Sequence, residues 1–459
     1  MSELGEQLNR QDGSAMTERE VRRGLRLNIV AGSMGVTWAA TVLGIPLVMM
    51  LESLGASGVQ IGLASTIQQL ATLVQVPASL LAEQFHGRKR FWAVTALTHR
   101  LLWFVPALLL LAWPGRPSLV THLVLLVLAL SSVLSQAATP SWYSWMADLV
   151  PQQASARFWS RRQSWTMVAY LGATIAVGWL LDVFPDPREP GGSMYGFMIV
   201  FLVGATFGTA DILTHMAVPE PLATPSPAGI PVWERLVAPL RIPDFRWLTL
   251  TMGAWSFAVG LIASFGLIYL RREFGLSYVQ LSAISIAASI GAILAGFQTG
   301  YVIDRLGARA YTAVLFLIGP LTGLIWFFID HTMLTFSLPW LGRFDVPQVV
   351  VLQVLTSLAA GALFSSIGLC QLRLLTALAP SQGRTTAMAV HWTLIGAMSA
   401  LGPLIGGAVV DWLQLHPLGW TLPNGVAFGF MQVLMPLFML FVWLVCVPLT
   451  LKISLRKGD

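Results

Sequence analysis

Gly300-Tyr301-Val302-Ile303-Asp304-Arg305-Leu306-Gly307-Ala308-Arg309 is the stretch that decides the fold. It closes a long apolar run with a carboxylate, a glycine and two arginines. An apolar helix that ends this way has the form of a membrane exit on the cytoplasmic side, where Lys and Arg accumulate. Gly300 stands four residues before Asp304, on the same helix face, where the missing side chain lets a neighbouring helix approach. Gly307 lets the chain turn sharply. Asp304 with Arg305 and Arg309 is expected to form a small ion-pair cluster at the membrane surface; the plainer reading is a turn whose arginines snorkel to the interface.

Composition agrees with that exit. Of 459 residues, 56% are hydrophobic and 10% charged, against roughly 25% charged in soluble domains. At about 20 residues per span, twelve helices can be laid down, roughly 28–51, 58–83, 91–112, 118–142, 164–183, 195–215, 247–270, 278–303, 310–329, 349–378, 387–410 and 426–450. Residues 1–25 are polar and arginine-bearing without the order of a cleavable signal peptide, so they are expected to stay in the cytoplasm. The net charge of +6 has a topological explanation and needs no nucleic acid. The N-terminal arginines, Arg88-Lys89-Arg90, Arg157, Arg161, Arg162, Arg235, Arg241, Arg246, Arg305, Arg309, Arg384 and the C-terminal cations fall on one side. Arg116, Arg188, Arg271, Arg272 and Arg343 fall on the other. This asymmetry puts both termini in the cytoplasm of a multi-pass inner-membrane protein. Cys370 and Cys446 lie in apolar runs and act as small hydrophobes, with no disulfide framework.

The chain repeats itself at a shift of 220 residues: Leu54-Gly55-Ala-Ser57-Gly-Val59-Gln60-Ile61 falls on Phe274-Gly275-Leu-Ser277-Tyr-Val279-Gln280-Leu281, Gln84 on Asp304 and Gly87 on Gly307. Two six-helix halves follow. In the first, the opening pattern reads Glu83-Gln84-Phe-His86-Gly87-Arg88, with neutral Gln84 at the carboxylate position. Seven prolines between 216 and 246 mark a linker, and Val232–Ala238 within it is either a short surface helix or a plain connector. The expected organisation is a 1–25 tail, a 26–215 bundle, a 216–246 linker, a 247–451 bundle and a 452–459 tail. Outer loops near 330–348 and 411–425 hold Trp340, Trp412 and Trp420, suited to interface anchoring.

Gly-x-x-x-Asp-Arg-x-Gly-x-Arg resembles the loop signature of the major facilitator superfamily, found between the second and third helices of each half. The resemblance runs along residues 26–451. It implies an all-α integral membrane fold of twelve transmembrane helices in two pseudo-symmetric six-helix bundles, working by alternating access around a midplane site. It also implies that Gly300, Asp304, Arg305, Gly307 and Arg309, with Gln84, Gly87 and Arg88 in the degraded copy, latch one conformational state. Gly402-Pro403-Leu-Ile-Gly406-Gly407 resembles a motif of drug antiporters, but it stands in the other half, and close helix packing is the expected role.

Candidates for the transport chemistry are few, because charges inside a bilayer are costly and mark function by default. Arg100, roughly 13 Å into the third helix, either faces Gln68, Gln69 or Gln136 and holds an anionic part of the substrate, or bonds backbone carbonyls as scaffold. No first-half acid is expected at its depth. His391 either couples protons or is a hydrogen-bonded packing residue. Asp211 and His215, one turn apart, read as a solvated or capped pair at the inner end of the sixth helix. Cavity-lining helices one, four, seven and ten, as the resemblance implies, bring Trp38, Gln136, Trp142, Tyr143, Trp255 and Gln371 forward, a wall of indoles and amides suited to a neutral or amphipathic ligand.

The expected function is therefore secondary transport, by export or flipping, of such a small molecule. Uptake of a sugar or other nutrient, with protons as a coupling ion, is the alternative. A non-transporting sensor or scaffold is the third. No enzyme motif, phosphate loop, metal pattern or cofactor site is recognised, and by analogy the protein is a monomer in the lipid bilayer.

Overall fold

Inside hydrocarbon every backbone N–H and C=O must be satisfied within the segment, so long apolar runs become helices. In the computed structural model, which describes residues 14–78, 88–184, 187–188, 191–222, 234, 237–338, 342–379 and 384–454, eleven helical stretches are long and apolar enough to cross a membrane. Gly58–Ala71, with the 3-10 turn Thr72–Val74, stands where the second span of a twelve-helix chain belongs. The continuation of that span, with Gln84 and Gly87, lies outside the described residues, as do 223–233 and 235–236 of the linker, which take in most of its Val232–Ala238 piece. Among the described residues the architecture is all-α apart from one antiparallel strand pair, β1 (Met333–Leu338) and β2 (Gly342–Pro347), in the stretch read from the sequence as a loop, and an isolated bridge between Thr421 and Ala427.

In chain order the first seven helices are α1 (Glu18–Val42), α2 (Ile45–Ser53), α3 (Gly58–Ala71), α4 (Arg88–Leu101), α5 (Phe104–Ala112), α6 (Pro117–Leu149) and α7 (Gln152–Val183). They are followed by α8 (Tyr195–Met216), α9 (Pro243–Ala263), α10 (Gly266–Phe274), α11 (Tyr278–Leu306), α12 (Ala308–Ile318), α13 (Gln348–Leu378), α14 (Arg384–Ser399), α15 (Leu401–Leu415), α16 (Phe430–Phe441) and α17 (Val447–Leu451). Several spans are broken pairs. α1 yields to α2 at Gly44, whose φ of +58° only glycine adopts readily, before Pro46 restarts the helix. α14 yields to α15 at Ala400, just ahead of Gly402-Pro403.

The repeat recurs at the level of single bonds. Ser57 N–H donates to Gln60 Oε1 at 2.9 Å and Gln60 N–H to Ser57 Oγ at 3.2 Å. The shifted pair Ser277 and Gln280 makes the same two bonds at 2.9 and 3.2 Å. Both are capping boxes that satisfy orphan N–H donors at a helix start, and each follows a left-handed glycine, Gly55 at φ +77° and Gly275 at φ +62°.

Spatial proximity sorts the chain into two units, Met1–Ala56 with Leu70–Gly229, and Ser57–Gln69 with Ile230–Asp459. In the first, α1 lies along α7 and α8, and α4 along α6. A cluster of Trp92, Trp145, Met146, Leu149 and Ile212 fills the space between them, with Trp92 and Trp145 edge to face at 5.4 Å. In the second, α11 and α13 touch backbone to backbone: a Cβ on Gly291 would stand 1.9 Å from the Leu358 carbonyl, and one on Gly361 1.8 Å from that of Ala288. The Gly402–Gly407 cluster packs as expected. Gly402 meets the Phe257 carbonyl, Gly406 that of Leu261, and Gly407 that of Gly58. There Asp411 accepts from Gly58 N–H at 2.5 Å and Val59 N–H at 2.9 Å, so its carboxylate caps α3.

Candidate functional site

The site grows from two residues one turn apart on α8. Asp211 and His215 face the same way, and Asp211 Oδ1 lies 2.8 Å from His215 Nδ1. Arg100, in the last turn of α4, donates Nη2–H to Asp211 Oδ2 at 2.9 Å. Its guanidinium lies 3.6 Å from the centre of the Trp38 ring, so charge pairing and cation–π contact hold it together. From α7, Arg162 donates Nε–H to Asn28 Oδ1 at 2.9 Å, which turns the Asn28 amide nitrogen toward His215 Nε2, 3.2 Å away. Trp142 Nε1–H points at that same imidazole nitrogen at 3.3 Å.

The imidazole tautomer follows from the donors. An indole nitrogen can only donate, and the Asn28 oxygen is already engaged, so His215 Nε2 must accept. The proton then sits on Nδ1, which donates it in a hydrogen bond to Asp211 Oδ1, and the imidazole in this arrangement is neutral. Small residues create the room: a Cβ on Gly32 would lie 2.7 Å from Arg162 Nη2, one on Gly35 2.7 Å from Asp211 Oδ2, and one on Gly208 2.6 Å from the Trp38 ring.

Two arginines therefore face one carboxylate and one neutral imidazole. They border a cavity of about 320 Å³ lined from α1, α4, α6, α7 and α8. Arg100 is 12% and Asp211 5% exposed, yet Arg100 Nε and Nη1 find no hydrogen-bond partner among the described residues. A surplus positive charge with idle donors in a low-dielectric interior is costly unless an anion completes it.

The placement corrects several expectations. Within its unit Arg100 pairs with Asp211 and not with Gln136. Gln136 accepts instead from Gln75 at 2.5 Å, and Gln68 donates to the Ala64 carbonyl of its own helix. Asp211 is an acid within reach of Arg100, because α8 and α4 pack side by side, and it is buried instead of solvated. Trp38, Trp142 and Tyr143 do gather at the site, with Trp38 beneath Arg100 and Tyr143 62% exposed. His99, beside Arg100 in sequence, turns away to Ser131 Oγ at 2.6 Å. Arg162 was missed, since the fifth span was begun at 164 whereas α7 starts at Gln152 and carries Arg162 inward. Its near neighbours Arg157 and Arg161 disguised it as one more loop cation. The signal available was Gly32 and Gly35, a small-residue face on α1.

In the second unit, His391 is fully buried beside Gln371, another expected candidate, whose Nε2 lies 3.0 Å from His391 Nε2. Thr249 Oγ1 gives its proton to the Phe245 carbonyl at 2.9 Å and so accepts from His391 Nδ1–H at 2.9 Å. Both ring nitrogens are satisfied with neutral partners. Trp255 sits in the apolar core against Phe316, Phe364 and Phe438.

Among the described residues Asp304 has no ion pair with Arg305 or Arg309. Arg305 stacks on the Tyr301 ring at 4.1 Å, and Arg309 donates to the Leu451 carbonyl at 2.7 Å. Asp304 stays exposed and, with Gly307 and Arg373, lines a separate cavity of about 430 Å³. Gly307 does turn the chain, at φ +81°, but among the described residues no atom lies within 4 Å of a Cβ placed on Gly300. In the first unit Arg88 bonds Asp148, lies 3.6 Å from Glu220 and donates to the Pro221 carbonyl at 3.2 Å.

Among known proteins, the sequence profile of the Major Facilitator Superfamily matches residues 27–342. A cis,cis-muconate transport protein of Acinetobacter baylyi is 24% identical over 177 residues, a stretch that is 36% of this chain and 40% of that protein. The crystal structure of a nucleoside transporter superposes with a TM-score of 0.70 at 14% identity, covering 94% of this chain and 100% of the other. An inward-facing bacterial homologue of the iron transporter ferroportin superposes at 0.66 and 15% identity, covering 96% and 100%. These two likenesses are of fold.

Proposed function

Since the chain belongs to the Major Facilitator Superfamily, and is thus a multi-pass membrane transporter of a small molecule, we propose that its substrate is a small organic anion. Arg100 and Arg162 bind it from within the first unit. The observation that carries this reading is the charge imbalance of the cavity, two arginines against the single carboxylate of Asp211, with two Arg100 nitrogens unbonded. Anionic oxygens accepting from Arg100 Nε and Nη1, which open on different edges of the guanidinium, would satisfy these donors with charge-assisted hydrogen bonds. The relative that carries cis,cis-muconate, a dicarboxylate, supports the same class of ligand. Asp211 and His215 are the groups best placed to take up a proton with the anion, which makes protons the proposed coupling ion. His391, Gln371 and Thr249 form a second polar group whose part is orientation. By the arginine asymmetry, the protein lies in the inner membrane with both termini cytoplasmic, and by analogy it works as a monomer.

The test is uptake of labelled carboxylates, with cis,cis-muconate as the first probe, into proteoliposomes that hold the purified full chain. Arg162→Gln is expected to cut transport roughly 10- to 150-fold, the loss of one charged hydrogen bond. Unchanged transport would rule out the anion-binding role. The exposed Tyr143 and the indole of Trp142 at the cavity edge favour, as the second reading, export of a neutral amphipathic compound. Under that reading Arg162→Gln leaves transport intact while Trp142→Ala abolishes it.

A further inference from the structure

A cavity larger than the one beside Asp211 also lies in the first unit. It is a cleft of about 840 Å³ on the surface of the unit, between α1 and α7 with Phe207 of α8 at its floor. Its lining changes character along its length. Arg22, Arg26, Arg157 and Arg161 stand at one end, and all four are exposed. Beyond them the wall is mostly apolar, with Ile29, Val30 and Met34 on α1 and Trp165 and Ala169 on α7, while the hydroxyls of Ser33 and Thr37 are spent on carbonyls of their own helix. Val30 is 48%, Trp165 53% and Phe207 40% exposed, so the apolar wall is open to whatever surrounds the protein.

We propose that this cleft binds an anionic phospholipid from the leaflet that faces the N-terminal arginines, its phosphate among Arg26, Arg157 and Arg161 and one acyl chain along the wall. The charges are uncommitted. Glu18 pairs with Arg22, whereas Arg26, Arg157 and Arg161 have no carboxylate partner among the described residues. The length also fits. Arg22 and Thr37 both line the cleft, and at 1.5 Å per residue they are about 22 Å apart along α1. One leaflet contributes about 15 Å of hydrocarbon, with the headgroup region beyond it. A basic pocket between membrane helices, continued by an apolar slot, combines the two attractions that select an anionic lipid. Snorkelling alone would explain scattered arginines. It does not explain three unpaired ones from two helices converging on one slot.

The experiment is native mass spectrometry of the detergent-solubilised full chain, titrated with phosphatidylglycerol or phosphatidylethanolamine of identical acyl chains. The expected result is phosphatidylglycerol retention several-fold above phosphatidylethanolamine. That preference should disappear in the combined variant Arg26→Gln, Arg157→Gln, Arg161→Gln. Val30→Trp, which fills the slot and spares the arginines, should lower retention as well, so the proposal stays open to test if the triple variant misfolds. Equal retention of the two lipids overturns the proposal, and so does a preference that survives either variant. Displacement of the lipid by glycerol phosphate at matched concentration, with no acyl chain, would show a site for soluble anions and also overturn it.

Discussion

Arg100 and Asp211 carry both a structural and a functional burden, and the two can be separated. Removing one partner of a buried ion pair leaves the other uncompensated, at a cost of about 3–5 kcal/mol. Arg100→Gln is therefore expected to lower the thermal midpoint in detergent, and Arg100→Gln with Asp211→Asn to recover part of it, since the double variant removes both members of the pair and leaves only Arg162 without a carboxylate. Substrate binding should not return in the double variant. If binding does return, Arg100 is scaffold only. The sequence pointed to Arg100 and to the Asp211–His215 spacing one by one, but not to their meeting. That meeting depends on α4 lying against α8, a tertiary fact with no local signature. Arg162 was hidden for a different reason, because arginines near a helix start read as loop cations until the helix is known to begin a further three turns back.

At the scale of the element, legibility was higher wherever a backbone rule applied. Ser57-x-x-Gln60 and Ser277-x-x-Gln280 were visible as repeat matches, and both are capping boxes. Ser277→Ala is expected to destabilise by about 1 kcal/mol, the usual worth of an N-cap, measurable as a drop in thermal midpoint. A null effect would mean the α11 start is held by its packing alone. Gly402-Pro403-Leu-Ile-Gly406-Gly407 announced close packing, though not its partners. The tighter crossing is at Gly361, where a methyl would collide with the Ala288 carbonyl. Because backbone cannot yield as a side-chain tip can, Gly361→Ala should cost about 1–3 kcal/mol or more, whereas Gly300→Ala, with no atom of the described residues within 4 Å of the new methyl, should be near neutral. Equal melting behaviour of the two variants would contradict the crossing. The strand pair β1–β2 left no comparable mark. Its alternation is short, and Gly342 and the prolines around it read as loop.

For the whole molecule, composition, cation asymmetry and the 220-residue repeat were enough for an all-α, multi-span membrane architecture, because the bilayer leaves so few backbone solutions. The chemistry was less legible. Indoles and amides along the spans suggested a neutral ligand, and only their arrangement revealed that the first unit's interior holds an excess of positive charge. A folded interior is where such an imbalance is felt, since water no longer screens it. Topology makes an independent prediction: a fluorescent reporter fused after Asp459 should be bright, and a periplasm-dependent phosphatase at the same place inactive. The reverse would contradict the orientation read from the arginines.

The charge of the ligand separates an anion-binding site from a neutral one most directly. Calorimetric titration of the purified full chain with cis,cis-muconate and, separately, with its neutral diamide holds shape nearly constant while removing the charge. Binding of the acid, none of the diamide, and loss of acid binding in Arg162→Gln is the predicted result. Binding of the diamide as tight as that of the acid, or acid binding that survives Arg162→Gln, would contradict it.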